Sequence, residues 1–182
     1  MAWAFQSVLV TKPIPIDSAE TEKALIHLTL DRNVTAIDHF DQIQTGDTII
    51  KADAIFVRDH RGRHLLDIES KRPSEQVAEV AKEFLIPLWT ISTASLLEEP
   101  RSGNESEVWS HRDHAVPVHL RMQIVAELGR KRALGMSELK AAIIGFKSIR
   151  RSILALACAR VVQIDLEAAP LGPGSIVRKG HW

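Results

Sequence analysis

The chain has 182 residues and a mass of 20.3 kDa, 45% of them apolar and 25% charged, enough for one ordinary domain or two small ones and too apolar for a disordered tail. Cys158 is the single cysteine, which excludes a disulfide framework and a cysteine-rich zinc module. No apolar run approaches the ~20 residues that span a bilayer, and the start, Met1-Ala2-Trp3-Ala4-Phe5-Gln6, lacks the basic and apolar regions of a signal peptide, so a cytoplasmic protein with no membrane partner is expected.

The formal net charge is zero, yet residues 1–115 carry −7 and residues 116–182 carry +7. A basic part of that size suggests a separate surface for a polyanion. Between them, residues 100–117 are polar and rich in turn formers. We therefore expect a first domain over 1–99, a linker over 100–117 and a second domain over 118–182.

In chain order, Asp17 and Ser18 are good N-caps, and a helix is predicted from there to about Leu30, with Glu22 nearer its buried side than Glu20. Short extended stretches follow at Val34–Ile37 and Asp41–Gln44, broken by Thr45-Gly46-Asp47. Lys51–Arg58 and His64–Lys71 then read as two strands joined by a five-residue loop, Asp59-His60-Arg61-Gly62-Arg63.

A hairpin symmetric about Arg61 sets Asp53 directly opposite Glu69, and alternation places Asp67, Glu69 and Lys71 on the same face as Asp53. Like charges directly opposed are destabilising. A divalent cation relieves that repulsion: Mg²⁺ commonly takes one or two carboxylates plus phosphate and water. Lys71 is then placed to orient or deprotonate an attacking water, or to stabilise charge developing on phosphate. The pattern points to metal-dependent phosphodiester hydrolysis. Its ordinary alternative is an exposed strand face on which Lys51 and Lys71 neutralise the acids. The tripeptide alone is unspecific, since Glu138-Leu139-Lys140 repeats its spacing in a predicted helix.

Pro73 and Ser74 open a further helix over Glu75–Phe84, and Leu88–Ser92 reads as a buried strand. Helix, strands, hairpin, helix and strand describe a small α/β layer with a mixed sheet. A helix glutamate, Asp53, then Glu69-Ser70-Lys71 before a helix and a closing strand resembles the PD-(D/E)xK nuclease superfamily. Within it, residues 17–95 look most like the catalytic domain of TnsA-like transposon endonucleases. The resemblance implies a restriction-endonuclease-like α/β fold and cleavage of DNA at transposon ends. It also implies Mg²⁺, with Mn²⁺ as a substitute, held by Asp53 and Glu69, Lys71 as the motif lysine, and Glu22 (or Glu20) as the helix carboxylate. Ala52 stands where many members have proline, a position that carries no catalytic group.

In the second part, His119–Arg130 is predicted helical, Ser137 opens a short helix, and Lys147–Ala159 forms a third. Val161–Leu166 and Ser175–Arg178 make a hairpin, giving a small winged helix-turn-helix, a domain that TnsA-like proteins also carry. Lys147, Arg150 and Arg151 fall at the N-terminal end of the third helix, where a recognition helix meets DNA; the other use of such a domain is docking a protein partner. Arg130-Lys131-Arg132 fits either phosphate contact or a helix C-terminus. His111 and His114 have a ligand-like spacing without cysteines, Cys158 reads as core, and Gln76 reads as a surface residue.

The leading expectation is a Mg²⁺-dependent endonuclease acting on double-stranded DNA together with the transposase and AAA+ regulator of the same transposon. Its acidic first part argues for affinity supplied by the basic part and by partners. The alternatives are a free-standing restriction or repair nuclease of the same superfamily, and a non-catalytic DNA-binding adaptor.

Overall fold

The computed structural model describes residues 3–45, 48–147 and 149–180. The chain divides into two units, Met1–Leu96 and Leu97–Trp182.

The first unit opens with strands β1 (Trp3–Phe5) and β2 (Ile14–Ile16), paired antiparallel. Helix α1 runs Ala19–Leu30, capped by Ser18, whose hydroxyl accepts from Thr21 N at 3.1 Å. Thr21, Ala24, Leu25, Leu28 and Thr29 are buried, the i, i+3, i+4 spacing of a helix with one inner face. Burial of a side chain such as Leu25 or Leu28 is worth about 1.5–3 kcal/mol.

Strands β3 (Ala36–Thr45), β4 (Thr48–Asp59) and β5 (Gly62–Ile68) form an antiparallel run. After helix α2 (Glu75–Glu83), β6 (Leu88–Ile91) joins parallel to β5, giving the order β3-β4-β5-β6, and the short helix α3 (Thr93–Leu96) closes the unit. This is an α/β fold with a mixed four-stranded sheet. Residues 36–45 make one long strand where two short ones were expected; of the break expected at Thr45-Gly46-Asp47, Gly46 and Asp47 lie outside the described residues. Val77 and Ala81 of α2 pack with Ala52, Ala54, Phe56 and Leu65. The alternate residues Ile55, Val57, Leu66 and Ile68 are buried as well, so both sheet faces are covered, and α1 packs against β5.

The hairpin register differs from expectation. Asp59 pairs with Gly62 and Phe56 with Leu65, so His60-Arg61 is a two-residue turn, not the centre of a five-residue loop. Asp59 Oδ1 closes it, accepting from Arg61 N at 2.8 Å and Gly62 N at 3.0 Å, and Gly62 takes the φ of 138° that favours glycine. A one-residue change of register exchanges faces along a whole strand. Asp53 and Glu69 are therefore not directly opposed, and Asp67 lies with Leu65 on the α2 side, buried and holding Arg72 at 2.9 Å.

In the second unit, α4 (Arg101–Trp109), α5 (Val118–Lys131), β7 (Ala133–Gly135), α6 (Met136–Ala142), α7 (Ile149–Cys158), β8 (Val162–Ile164) and β9 (Ile176–Lys179) follow in order. The sheet order is β7-β9-β8, antiparallel throughout. The expected hairpin is β8–β9; β7 is an additional strand.

Residues 100–117 are not simply a linker, and the division between the units falls at Leu96/Leu97. Asn104, Glu105, Val108 and Trp109 of α4 are buried, and α4 packs on α7. The polar side chains are satisfied internally. Asn104 donates to Leu166 O at 2.8 Å and Ala169 O at 2.9 Å and accepts from Leu171 N at 2.9 Å, while Glu105 pairs with Arg101 at 2.7 Å. No described helix is long and apolar enough to cross a membrane.

Candidate active site

Asp53 sits at an irregularity of the sheet. Phe40 pairs with Ala54 and Gln42 with Lys51, so β4 sets two residues, Ala52 and Asp53, against Asp41 alone on β3. Ala52 is buried with Ala54 and Phe56 on the α2 side, so alternation places Asp53 on the opposite face, where it is exposed.

Lys71 reaches Asp53 by a different device. Strand β5 ends at Ile68, and Lys71 N donates back to Ile68 O at 2.8 Å, forming a tight turn over Ile68–Lys71 with an antiparallel bridge between its ends. Its ammonium lies 2.7 Å from Asp53 Oδ2 and 2.8 Å from Asp17 Oδ2. Asp53 Oδ1 is 2.9 Å from His39 Nε2 on β3. Asp17 is steadied by Thr21, whose hydroxyl donates to Asp17 Oδ1 at 3.3 Å within the capping network of α1.

The electrostatics follow from these contacts. The hydrogen bond from Lys71 holds the Asp17 carboxyl below its ordinary range. At Asp53, burial opposes the charge, but the bonds from Lys71 and His39 outweigh it and again depress the pKa. Burial likewise opposes the Lys71 charge, yet Asp17 and Asp53 together raise its pKa. All three groups are therefore charged at neutral pH.

Glu69 lies in the Ile68–Lys71 turn, and its Oε2 accepts from Thr93 N, the first amide of α3, at 2.9 Å. It neither opposes Asp53 across the ladder nor contacts Lys71 by any hydrogen bond or ion pair among the described residues. The carboxylate that joins the cluster from the start of α1 is Asp17: Glu22 and Glu20 are both half-buried, and neither joins through such a contact. Asp17 is legible in the sequence only as a cap, and His39 gives no signal until strand pairing is known.

The donors fit Mg²⁺ in kind. Asp53 and Glu69 are exposed carboxylates, and Mg²⁺ is commonly held by one or two such groups with water and phosphate completing its shell. Among the described residues, no three His, Cys, Asp or Glu side chains converge as a metal-holding group.

Gln76 lines a groove with Glu75, Glu79, Lys82 and Glu83, a setting whose net negative charge disfavours phosphate. His114 Nε2 is 3.4 Å from Ser152 Oγ, and His111 donates its backbone amide to Val108 O. Cys158 is buried, its thiol donates to Val108 O at 3.2 Å, and burial pushes its pKa up to about 12. It is core, not a nucleophile.

Eight of the ten residues of α7 are buried, leaving only Arg150 and Arg151 exposed on that helix. Arg150 forms an ion pair with Glu107 of α4 and donates to Leu171 O at 3.4 Å. Lys147 and Arg151 are exposed, with no ion pair among the described residues. The three cations thus stand at the start of α7, one of them already engaged. Comparison with protein-family models gives no match for this chain, and no curated protein matches it.

Proposed function

We propose that the chain is a metal-dependent DNA endonuclease whose first unit hydrolyses phosphodiester bonds at Asp53, Glu69 and Lys71, acting at transposon ends with transposase and AAA+ regulator partners. The observation that carries this reading is the Lys71–Asp53 contact at 2.7 Å, made from the tight turn over Ile68–Lys71 and not by ladder pairing. The order helix, three antiparallel strands, helix and a parallel fourth strand supports it, being the arrangement expected around a PD-(D/E)xK site.

Asp53 and Glu69 are the residues that would hold Mg²⁺, which when bound supplies Lewis-acid polarisation of phosphate and a more acidic water. Lys71, kept protonated by its two aspartates, is suited to stabilise negative charge developing on the phosphate rather than to act as a base. His39 orients Asp53 through the second carboxylate oxygen, and Asp17 positions Lys71.

In the second unit the order α5-β7-α6-α7-β8-β9 supports a winged helix-turn-helix, with Lys147, Arg150 and Arg151 as its DNA contacts at the start of α7. Contacts to phosphate from such cations supply affinity that an acidic catalytic part lacks.

The test is nicking of supercoiled DNA with Mg²⁺ or Mn²⁺, with and without partners encoded beside the gene. Weak cutting alone, stimulated by partners and abolished in Asp53→Asn, supports the transposition reading. Robust cutting of plain duplex by the chain alone favours a free-standing nuclease.

One observation favours a second reading. Lys71 already neutralises Asp17 and Asp53, and Glu69 already caps α3, as in a non-catalytic adaptor that retains these residues as a structural pin. Biological activity surviving both Asp53→Asn and Lys71→Met decides for the adaptor.

A further inference from the structure

We propose that the second unit carries another nucleic-acid backbone surface, formed by Lys131, Arg132, Arg178 and Lys179 at the end of the sheet away from the start of α7. This goes beyond the reading above and does not depend on the chemistry at Asp53.

The topology gathers these residues from distant parts of the sequence. Helix α5 ends at Lys131, Arg132 caps it, and the chain enters β7 at once, where Ala133 pairs with Arg178. On the other side of β9, Lys179 pairs with Val162, the first residue of β8. Arg130 at the close of α5 and Arg160 in the α7–β8 turn, where Gly180 N donates to Val161 O at 2.9 Å, belong to the same end. Six of the eleven basic residues of 116–182 thus meet at one end of a three-stranded sheet.

The four acidic residues of that stretch do not answer them. Glu127 is paired with Arg130. Glu138 accepts from Gly135 N at 2.8 Å, at the start of α6. Asp165 and Glu167 lie past the other end of β8, where Asp165 accepts from Glu167 N and Ala168 N, and Glu167 pairs with Arg101 at 2.6 Å. Lys131, Arg132, Arg178 and Lys179 are all exposed, and among the described residues no carboxylate pairs with any of them.

A helix C-terminus attracts cations, which accounts for Arg130 and Lys131. Arg178 and Lys179 stand on a strand outside that helix, so the α5 terminus alone does not explain why both positions are cationic. Cations gathered at one end of the sheet without carboxylate partners repel one another, and a partner with dense negative charge relieves that repulsion. Duplex nucleic acid carries one charge per ~1.7 Å of axis, and guanidinium groups match phosphate geometry.

The experiment is fluorescence anisotropy of the full chain with a labelled duplex of unrelated sequence, in EDTA, over a salt series. Removing one cation from a phosphate lowers the slope of log K against log salt by about 0.9. The Lys131→Gln/Arg132→Gln and Arg178→Gln/Lys179→Gln pairs should therefore each reduce the slope by about 1.8, and the four together by about 3.6. Lys140→Gln, an exposed cation on α6, should leave it unchanged, and circular dichroism melts should match wild type for all variants. Wild-type slope and affinity in the fourfold variant, or no duplex binding by the wild type, overturns the proposal. Because cleavage is read separately in Mg²⁺, a chain that binds through this surface and does not cut refutes the nuclease reading alone.

Discussion

Lys71 Nζ lies 2.7 Å from Asp53 Oδ2, although no ladder pairing brings the two residues together. The turn at Ile68–Lys71 carries the lysine back to Asp53, which lies beside the bulge at Ala52–Asp53. That turn-borne contact is the feature on which the site depends. Lys71→Met should lower DNA cleavage by at least ~100-fold, the order seen when one electrostatic stabiliser is removed. Lys71→Arg should fall between it and wild type. Single-turnover nicking assays in Mg²⁺ check this, and equal rates for Lys71→Met and wild type would be the adverse outcome.

The same cluster sets a pH signature of stability. Asp17 and Asp53 have folded pKa values below the ordinary 3.8, so their contribution is present above pH 3.8 and fades as pH falls through the depressed values. Lys71 is raised above 10.5, so its share is present below pH 10.5 and fades as pH rises past it. The groups are partly exposed, so the two ion pairs together are worth only about 1 kcal/mol. Melts of wild type and Lys71→Met should therefore differ by a small constant margin from about pH 5 to pH 9 and converge toward both extremes. A margin that changes steadily through neutral pH would contradict the assignment.

From α1 to β6 the order of elements is legible in the sequence because caps and periodicity are local: Ser18 opens α1, Ser74 opens α2, and Leu88–Ser92 reads as a strand, though of β6 only Ile91 is buried where a buried strand was expected. The register is not, because it turns on whether Asp59 closes a two-residue turn or joins a longer loop. That single side chain takes Asp53 and Glu69 out of direct opposition. Asp53 and Lys71 still meet, but through a turn and a bulge that composition cannot reveal, and the partners they acquire, Asp17 and His39, come from elements far along the chain. Residues 100–117 mislead for a related reason: a buried asparagine and glutamate look like loop residues until their partners are seen.

Asn104 provides a test of that last point. Its side chain satisfies two carbonyls and one amide of the 166–171 segment, and leaving a buried backbone group without a partner costs about 1–3 kcal/mol. Asn104→Ala should destabilise the second unit by about 2–4 kcal/mol, whereas a residue in a free linker would tolerate the change. Urea unfolding followed by Trp109 fluorescence, with the other three tryptophans replaced by phenylalanine, distinguishes the two.

Cys158 should be silent in the native protein. With its thiol buried and its pKa pushed up to about 12, thiolate is scarce at neutral pH and access is closed. A thiol-reactive dye should label it only as fast as the second unit unfolds. Rapid labelling under native conditions would show that α4 does not cover it as described.

The most direct measurement of the central claim is Mn²⁺ titration by calorimetry of the wild type, Asp53→Asn and Lys71→Met. Wild type should bind, Asp53→Asn should lose binding while its melt remains cooperative, and Lys71→Met should bind at least as tightly because the ammonium no longer competes for the carboxylate. No binding by wild type, or the same isotherm from Asp53→Asn, would contradict it.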